Sequence, residues 1–376
     1  MSPKIMAPFN TVDEINDLAE TGAGELYCGV IEEEWLRKYP VVGINRRVEL
    51  FSNLHSFADL KKATDLAHSY GIPVCLTINE HYYTNAQYPY LLDYIAKSIE
   101  AGTDAFIVSD PALIIALNEK GSKIPLHLST GGTVFNTAAA AFYQELGVSR
   151  ITIPRHLRLA EMKTIIEALP ELETAVFIMN SRCANIDGFC TFDHSPLKCS
   201  DSVKFLGEGA LRGYPEGILS KDIFATGCCM LPYVVNVEAA PSGSATADAK
   251  TRSAIARQAL WSRHHIDNIP CGACALFDFH KMGVSAVKIV GRGNPTKRKI
   301  GDVGFLKMLI SLLDGGELER DDFRKYARDL YRANYRKTCD STNCYYPEML
   351  IAAGREECTR AGSPDSENTS DSRRVS

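Results

Sequence analysis

Eight short runs rich in β-forming residues punctuate this chain: Lys4–Pro8, Glu25–Gly29, Pro73–Asn79, Asp104–Ser109, Ile124–Ser129, Arg150–Pro154, Thr174–Met179 and Ser285–Val290. Between most of them lie stretches whose apolar residues recur at helical spacing, namely Thr11–Thr21, Ser56–Tyr70, Tyr88–Ala101, Asn136–Leu146 and Leu159–Leu169, each ending near Gly or Pro. A strand, a helix and another strand at intervals of roughly 20–30 residues implies parallel strands, because parallel neighbours need a long crossover. Eight such units predict an α/β fold of the (β/α)8 TIM-like barrel type. An open doubly wound sheet is the alternative. It is disfavoured because MAPFNT follows the first strand where a glycine-rich dinucleotide loop would stand.

The regular spacing breaks once, between strands seven and eight, at residues 180–284. A plain βα unit needs far fewer residues, so this segment reads as an insertion on the C-terminal face, where barrel active sites lie. After strand eight, Ile300–Leu313 and Arg320–Tyr335 read as closing helices. The barrel domain is therefore expected over residues 1–335. The tail, 336–376, ends in TRAGSPDSENTSDSRRVS and is expected to be partly disordered.

Seven of the twelve cysteines fall inside the insertion. With no basic n-region and apolar core at the N-terminus, and no apolar run of the ~18 residues that suggest a membrane span, a cytoplasmic protein with no membrane partner is expected. In that compartment clustered cysteines point to metal or redox chemistry rather than disulfides. Cys183 and Cys190 sit on the loop leaving strand seven, followed by Cys199, the pair Cys228 and Cys229, and the CGAC pair Cys271 and Cys274. An iron–sulfur cluster needs four converging thiolates, whereas zinc sites more often use two tight C-x2-C knuckles. Cys28 and Cys75, inside strands, read as core residues, and no function is expected of Cys339, Cys344 and Cys358.

The segment APFNTVDEINDLAETGAGELYCG, LHLST at strand five, GVSRITIPR at strand six, the C-x6-C of Cys183 and Cys190, and GVSAVKIVGR at strand eight together resemble the collagenase-like peptidase family U32. The resemblance implies a 4Fe–4S protein that supports oxygen-independent hydroxylation, of ubiquinone precursors or of tRNA and rRNA bases, rather than a protease. It implies Cys183, Cys190, Cys199 and Cys229 as cluster ligands, with Cys228 and Cys271 as alternates, and a homologous partner chain in some members. Two departures stand out. The family's usual Gln after strand five is Gly131 here, and its usual Glu in the strand-eight motif is Val290, so the substrate is expected to differ.

Among strand-end polar residues, the candidates for the mouth are Asn79, Glu80 and His81, Asp110, His127 and Ser129, and Arg155 and His156. Lys288 and Arg292, followed by Lys297, Arg298 and Lys299, make a basic stretch where barrels often hold anions. His127, Asp110, Arg155, Lys288 and Arg292 are thus the expected catalytic or binding set, for a small anionic or aromatic substrate or an RNA. No Ser–His–Asp order, HExxH motif or nucleotide loop is evident. The net charge of −5 gives no argument for bulk nucleic-acid binding.

Overall fold

The computed structural model describes residues 2–39, 43–47, 50–180, 186–189, 269–316, 318–339 and 343–350. Eight parallel strands close into a barrel in sequence order: β1 (Lys4–Pro8), β2 (Glu25–Cys28), β3 (Val74–Ile78), β4 (Ala105–Val108), β5 (Leu126–Leu128), β6 (Arg150–Ile153), β7 (Glu173–Met179) and β8 (Ala286–Ile289). Each lies within two residues of a run expected from sequence. Closure is made by β1 on β8, with Lys4 opposite Ala286 and Met6 opposite Lys288.

Strand alternation sorts the side chains into two cores. Leu26, Cys28, Leu76, Phe106, Val108 and Val287 belong to the large cluster between barrel and helices. Met6, Tyr27, Cys75, Ala105 and Ile107 form a small separate one that fills the barrel interior. Cys28 and Cys75 are buried, and burial pushes the Cys75 thiol up to about 12 and that of Cys28 higher still.

At the N-terminal end of the barrel, charges close the floor. Arg150, first in β6, donates to Glu25, first in β2 (Nη2 to Oε1, 3.0 Å), and to Glu173, first in β7 (Nε to Oε2, 2.7 Å).

The helices expected from apolar spacing are present as α1 (Glu14–Thr21), α3 (Phe57–Ser69), α4 (Tyr88–Glu100), α6 (Thr137–Glu145) and α7 (Leu159–Ala168), followed by α9 (Thr296–Gly315) and α10 (Arg320–Tyr335). Three more, α2 (Glu33–Lys38), α5 (Pro111–Glu119) and α8 (Leu276–Met282), carry too little polar contrast or too few turns for a periodic signal. Helix α5 nevertheless has a readable start: Asp110 caps the Ala112 N–H at 2.9 Å and Pro111 occupies the first turn.

The end of the expected insertion belongs to the barrel wall. Residues 269–275 lie along the end of β7, where Gly272 N–H donates to the Ile178 carbonyl (2.8 Å) and Asn180 N–H to that of Pro270 (2.8 Å). The start of the tail packs back too: Cys344 bridges Cys271, and Tyr345 and Tyr346 are buried. Asn180, which ends β7 in the left-handed region (φ 65°), organises this corner. Its side chain donates to Asp302 (2.6 Å) and accepts from Arg298 (3.1 Å), and its carbonyl accepts from the Tyr345 hydroxyl.

Candidate active site at the barrel mouth

Strands β2, β7 and β8 and the end of β6 bring two aromatic rings and two cations together. The Lys288 ammonium lies 4.3 Å from the centroid of the Tyr27 ring and 5.8 Å from that of Phe177, and the Arg155 guanidinium sits 4.6 Å over Phe177. Lys288 and Phe177 are directly opposite in register. The Tyr27 hydroxyl is fixed by donating to the Ile289 carbonyl at 2.8 Å. Burial pushes that phenol far up despite nearby Arg292, Arg47 and Arg155, so it stays protonated.

Lys288 has no carboxylate within ion-pair distance among the described residues. Burial lowers its pKa to about 7, with Arg292 and Arg150 pressing the same way.

Arg155 is held by Asp187 (Nη2 to Oδ1, 2.6 Å; Nε to Oδ2, 3.0 Å), whose Oδ2 also accepts the Arg155 backbone N–H at 2.8 Å. Burial raises the Asp187 pKa, but the charge and hydrogen bonds of Arg155 more than offset it, and the net shift is downward.

Arg292 is a positioning residue in this geometry. Nη1 donates to Thr77 (2.9 Å) and Asn53 (3.2 Å), and Nη2 to the carbonyl and side chain of Asn45 (3.0 and 3.1 Å). It pins the segment after β2 across the mouth. The path of Arg292 passes directly over Gly29, where a β-carbon would collide with the guanidinium and with Asn45 and Asn53.

The opposite rim is polar. Asn79 donates to the Ser129 hydroxyl (3.1 Å), while its own Oδ1 is buried with no hydrogen-bond partner among the described residues. Gly131 faces Ser109, and a β-carbon there would come within 2.8 Å of the Ser109 Cβ. Any side chain at this position is excluded unless Ser109 moves.

The structure thus brings Arg155 and Lys288 together and sets Arg292 beside them, but it places the other two expected residues differently. Asp110 spends its oxygens on the start of α5 and on Tyr83 N–H (3.2 Å) and the Tyr88 hydroxyl (3.1 Å). His127 points into the barrel beside Cys75 (Nδ1 to Sγ, 3.8 Å). Burial, with help from Arg150 and Lys288, depresses it to about 3, so it is a neutral imidazole at ordinary pH.

The basic stretch after β8 is corrected. Lys299 is buried against Glu14 (2.9 Å to each oxygen) and Arg298 serves Asn180, so neither offers its charge to the mouth. Tyr27, Phe177 and Asp187 were not expected. Tyr27 and Phe177 read in sequence as ordinary strand residues, and Asp187 is one acid inside the C-x6-C loop, with nothing in the linear pattern to link it to Arg155.

Cys183, Cys190, Cys199, Cys228 and Cys229 lie outside the described residues. Cys271 is described, and it shares one cavity with Cys274, Cys339 and Cys344. No helix among the described residues is long and apolar enough to cross a membrane.

The sequence profile of peptidase family U32 matches residues 10–202. The chain is 30% identical over 187 residues to a tRNA hydroxylation protein P of Helicobacter pylori, covering 50% of this chain and 41% of that protein. It is 26% identical over 188 residues to the tRNA hydroxylation protein P of Escherichia coli (50% of this chain, 38% of that one). To the 23S rRNA 5-hydroxycytidine C2501 synthase of Escherichia coli it is 26% identical over 141 residues, covering 38% and 21% of the two chains. The matches span about two-fifths of the length of the tRNA-related proteins.

Proposed function

This chain belongs to peptidase family U32, and we propose that it is an iron–sulfur-dependent, oxygen-independent hydroxylase that acts on an RNA base or an aromatic small molecule. The observation that carries this reading is the placement of Lys288 and Arg155 over the Tyr27 and Phe177 rings. Such a site takes a flat or conjugated molecule bearing a carboxylate or phosphate: the rings cover its face and the cations hold its anionic group. The names of the relatives support RNA as the acceptor.

The protein's own groups bind and orient. Arg155, fixed by Asp187, adds positive charge at the mouth, and Lys288 gains a proton as the anion binds, because the incoming charge offsets the cost of burial. Asn79 Oδ1 is an acceptor awaiting a donor from the substrate. Thiolates are the soft donors that an iron–sulfur group takes, and of the thiols named for it only Cys271 is among the described residues, buried at the end of β7. Cys183, Cys190, Cys199 and Cys229 are the ligands in this proposal, and a 4Fe–4S cluster held there supplies one-electron transfer. A homologous partner chain is part of the same proposal.

The peptidase reading gains nothing from the barrel interior. The Cys75–His127 contact resembles a nucleophile and its base only in composition. Cys75 is pushed up to about 12 and His127 down to about 3, the reverse of a thiolate–imidazolium pair.

The test is to incubate anaerobically purified protein with unmodified tRNA and rRNA, an electron donor and carboxylate-bearing candidate hydroxyl donors, then digest and weigh the nucleosides. Gain of one oxygen by a pyrimidine, abolished in Lys288→Met, is the expected result. Peptide hydrolysis by iron-free protein, abolished by His127→Ala, overturns the reading.

A further inference from the structure

We propose that Lys288 is a nucleophile whose amine condenses with the carbonyl of a 2-oxo acid bearing a flat or conjugated group, forming an imine beside the Tyr27 and Phe177 rings. Two buried lysines of this barrel, compared, show why. Lys299 is held as a structural lysine is, with both Glu14 oxygens 2.9 Å from its Nζ. Lys288 is nearly as enclosed, at 6% exposure, yet among the described residues its Nζ has neither a carboxylate within ion-pair distance nor a hydrogen bond. It has the two rings instead, with centroids at 4.3 and 5.8 Å. Lys288 stands one residue before the end of β8, and the neighbouring Phe177 and Arg155 are partly exposed, which leaves a way in from the mouth.

The charges that face Lys288 come from several strands. Glu25, at the start of β2, is committed to Arg150 at the barrel floor (3.0 Å). Cys75 on β3 and Glu25 favour the ammonium, Arg292 beyond β8 and Arg150 on β6 oppose it, and burial outweighs them all, leaving a pKa of about 7. His127 on β5 is neutral and adds no charge. At neutral pH about half of the Lys288 side chains thus carry a free lone pair, against on the order of one in a thousand for an exposed lysine. A desolvated lysine beside other cations is the setting in which amines attack carbonyl compounds.

Arg47 calls for the acid group. The charges of Arg292, Arg47 and Arg155 all reach the Tyr27 hydroxyl. Arg155 is committed to Asp187, and Arg292 to Thr77, Asn53 and Asn45. Arg47 donates to the Arg46 carbonyl (3.1 Å) and has no side-chain partner for its guanidinium among the described residues. A carboxylate on Arg47, a carbonyl at Lys288 Nζ and a flat group against the rings together describe an aromatic or conjugated 2-oxo acid.

The step is a condensation. The Nζ lone pair adds to C2 of the acid, the carbonyl π pair moves to oxygen, and after proton transfers the C–O bond breaks and water leaves. One ammonium and one ketone become one iminium and one water, with no oxidation or reduction. The iminium carries the same single positive charge as the ammonium, so a carboxylate that favours one favours the other. It also withdraws electrons from the adjacent carbon and activates the bonds there. The inference rests on the proposed function only for the mouth as an anion site, and needs neither RNA nor a cluster.

The experiment incubates the full chain at pH 7 with phenylpyruvate and sodium cyanoborohydride, without nucleic acid, and maps the digested protein by mass spectrometry. One adduct per chain is expected on the peptide that holds Lys288, heavier by one phenylpyruvate less one oxygen atom. Lys288→Arg keeps a cation and removes the nucleophile, and should lose that adduct. Arg47→Gln should raise the phenylpyruvate concentration needed for half-labelling about tenfold. Mapping the wild-type chain locates the adduct even if Lys288→Arg fails to fold. Lys288 left unmodified while exposed lysines are labelled, or Lys288 labelled equally by phenylacetone, which lacks the carboxylate, would overturn the inference. An adduct at Lys288 with no oxygen gained by any nucleoside would strike the hydroxylase reading alone, and nucleoside hydroxylation with Lys288 unlabelled would strike this one alone.

Discussion

Asp187 grips Arg155 at three points, accepting from its backbone N–H, its Nε and its Nη2 at 2.8, 3.0 and 2.6 Å. The grip aims the guanidinium over Phe177 and fixes the cation of the mouth before any substrate arrives.

Asp187→Asn keeps the shape and removes the charge. It should cost about 3–5 kcal/mol, the usual cost of leaving one partner of a buried pair uncompensated. Because the folded pKa of Asp187 is depressed, its stabilisation is present above the ordinary carboxylate pKa and is lost as pH falls below about 4. Urea midpoints for wild type and variant, compared between neutral and acid pH, should therefore converge on the acid side.

Lys288 runs the other way. Its folded pKa is lowered to about 7, so between there and its ordinary value near ~10.4 the unfolded chain holds the extra proton and stability rises with pH. Lys288→Met should remove that rise and leave the variant more stable than wild type at pH 6, by on the order of a few kcal/mol. Binding of a carboxylate-bearing ligand should weaken at least tenfold, the equivalent of about 1.4 kcal/mol. Denaturation at pH 6 and 9, with ligand titration calorimetry, checks both.

Lys299 and Glu14 form a buried pair with almost no solvent exposure. Lys299→Met strands the carboxylate and should cost about 3–5 kcal/mol, whereas adding Glu14→Leu should recover most of it. Thermal melts of the single and double variants decide. Equal losses in both would mean that packing, not charge, is what the pair contributes.

Gly29→Ala places a methyl group in the path of Arg292. The expected loss is about 1–3 kcal/mol from overpacking, together with weaker ligand binding as the Asn45 and Asn53 segment is released. A variant with unchanged stability and affinity would show that the segment can shift at no cost.

The barrel was legible because its signal is local. Parallel strands buried on both faces read as apolar runs, and most crossover helices carry their own periodicity, so the runs from Lys4 to Ile289 could be placed within two residues. Helix α5 escaped because PALIIALNE is apolar nearly throughout, leaving only its Asp-Pro start as a mark. Lys288, Arg155 and Arg292 were expected at the mouth because residues at the ends of β6 and β8 must lie there once a barrel is granted.

What the sequence by itself determined is the eight strands, their order, most of the crossover helices, and the end of the barrel at which the strand-end residues gather. Only the tertiary structure decided which charges are free to act. Lys299 and Arg298 look like Lys288 in the linear pattern, yet closing the ring gave Lys299 to Glu14 and Arg298 to Asn180, and left Lys288 facing rings. His127 and Asp110 were assigned by the same rule, and a β-strand's alternation turned one inward while a helix start claimed the other. Cys339 and Cys344, to which no function was assigned, were carried to Cys271 and Cys274 by the fold of the tail. The physical reason is the same throughout. Periodicity is a property of neighbours in sequence, but the pKa of a lysine or the company of a thiol is set by groups that only barrel closure brings within a few ångströms.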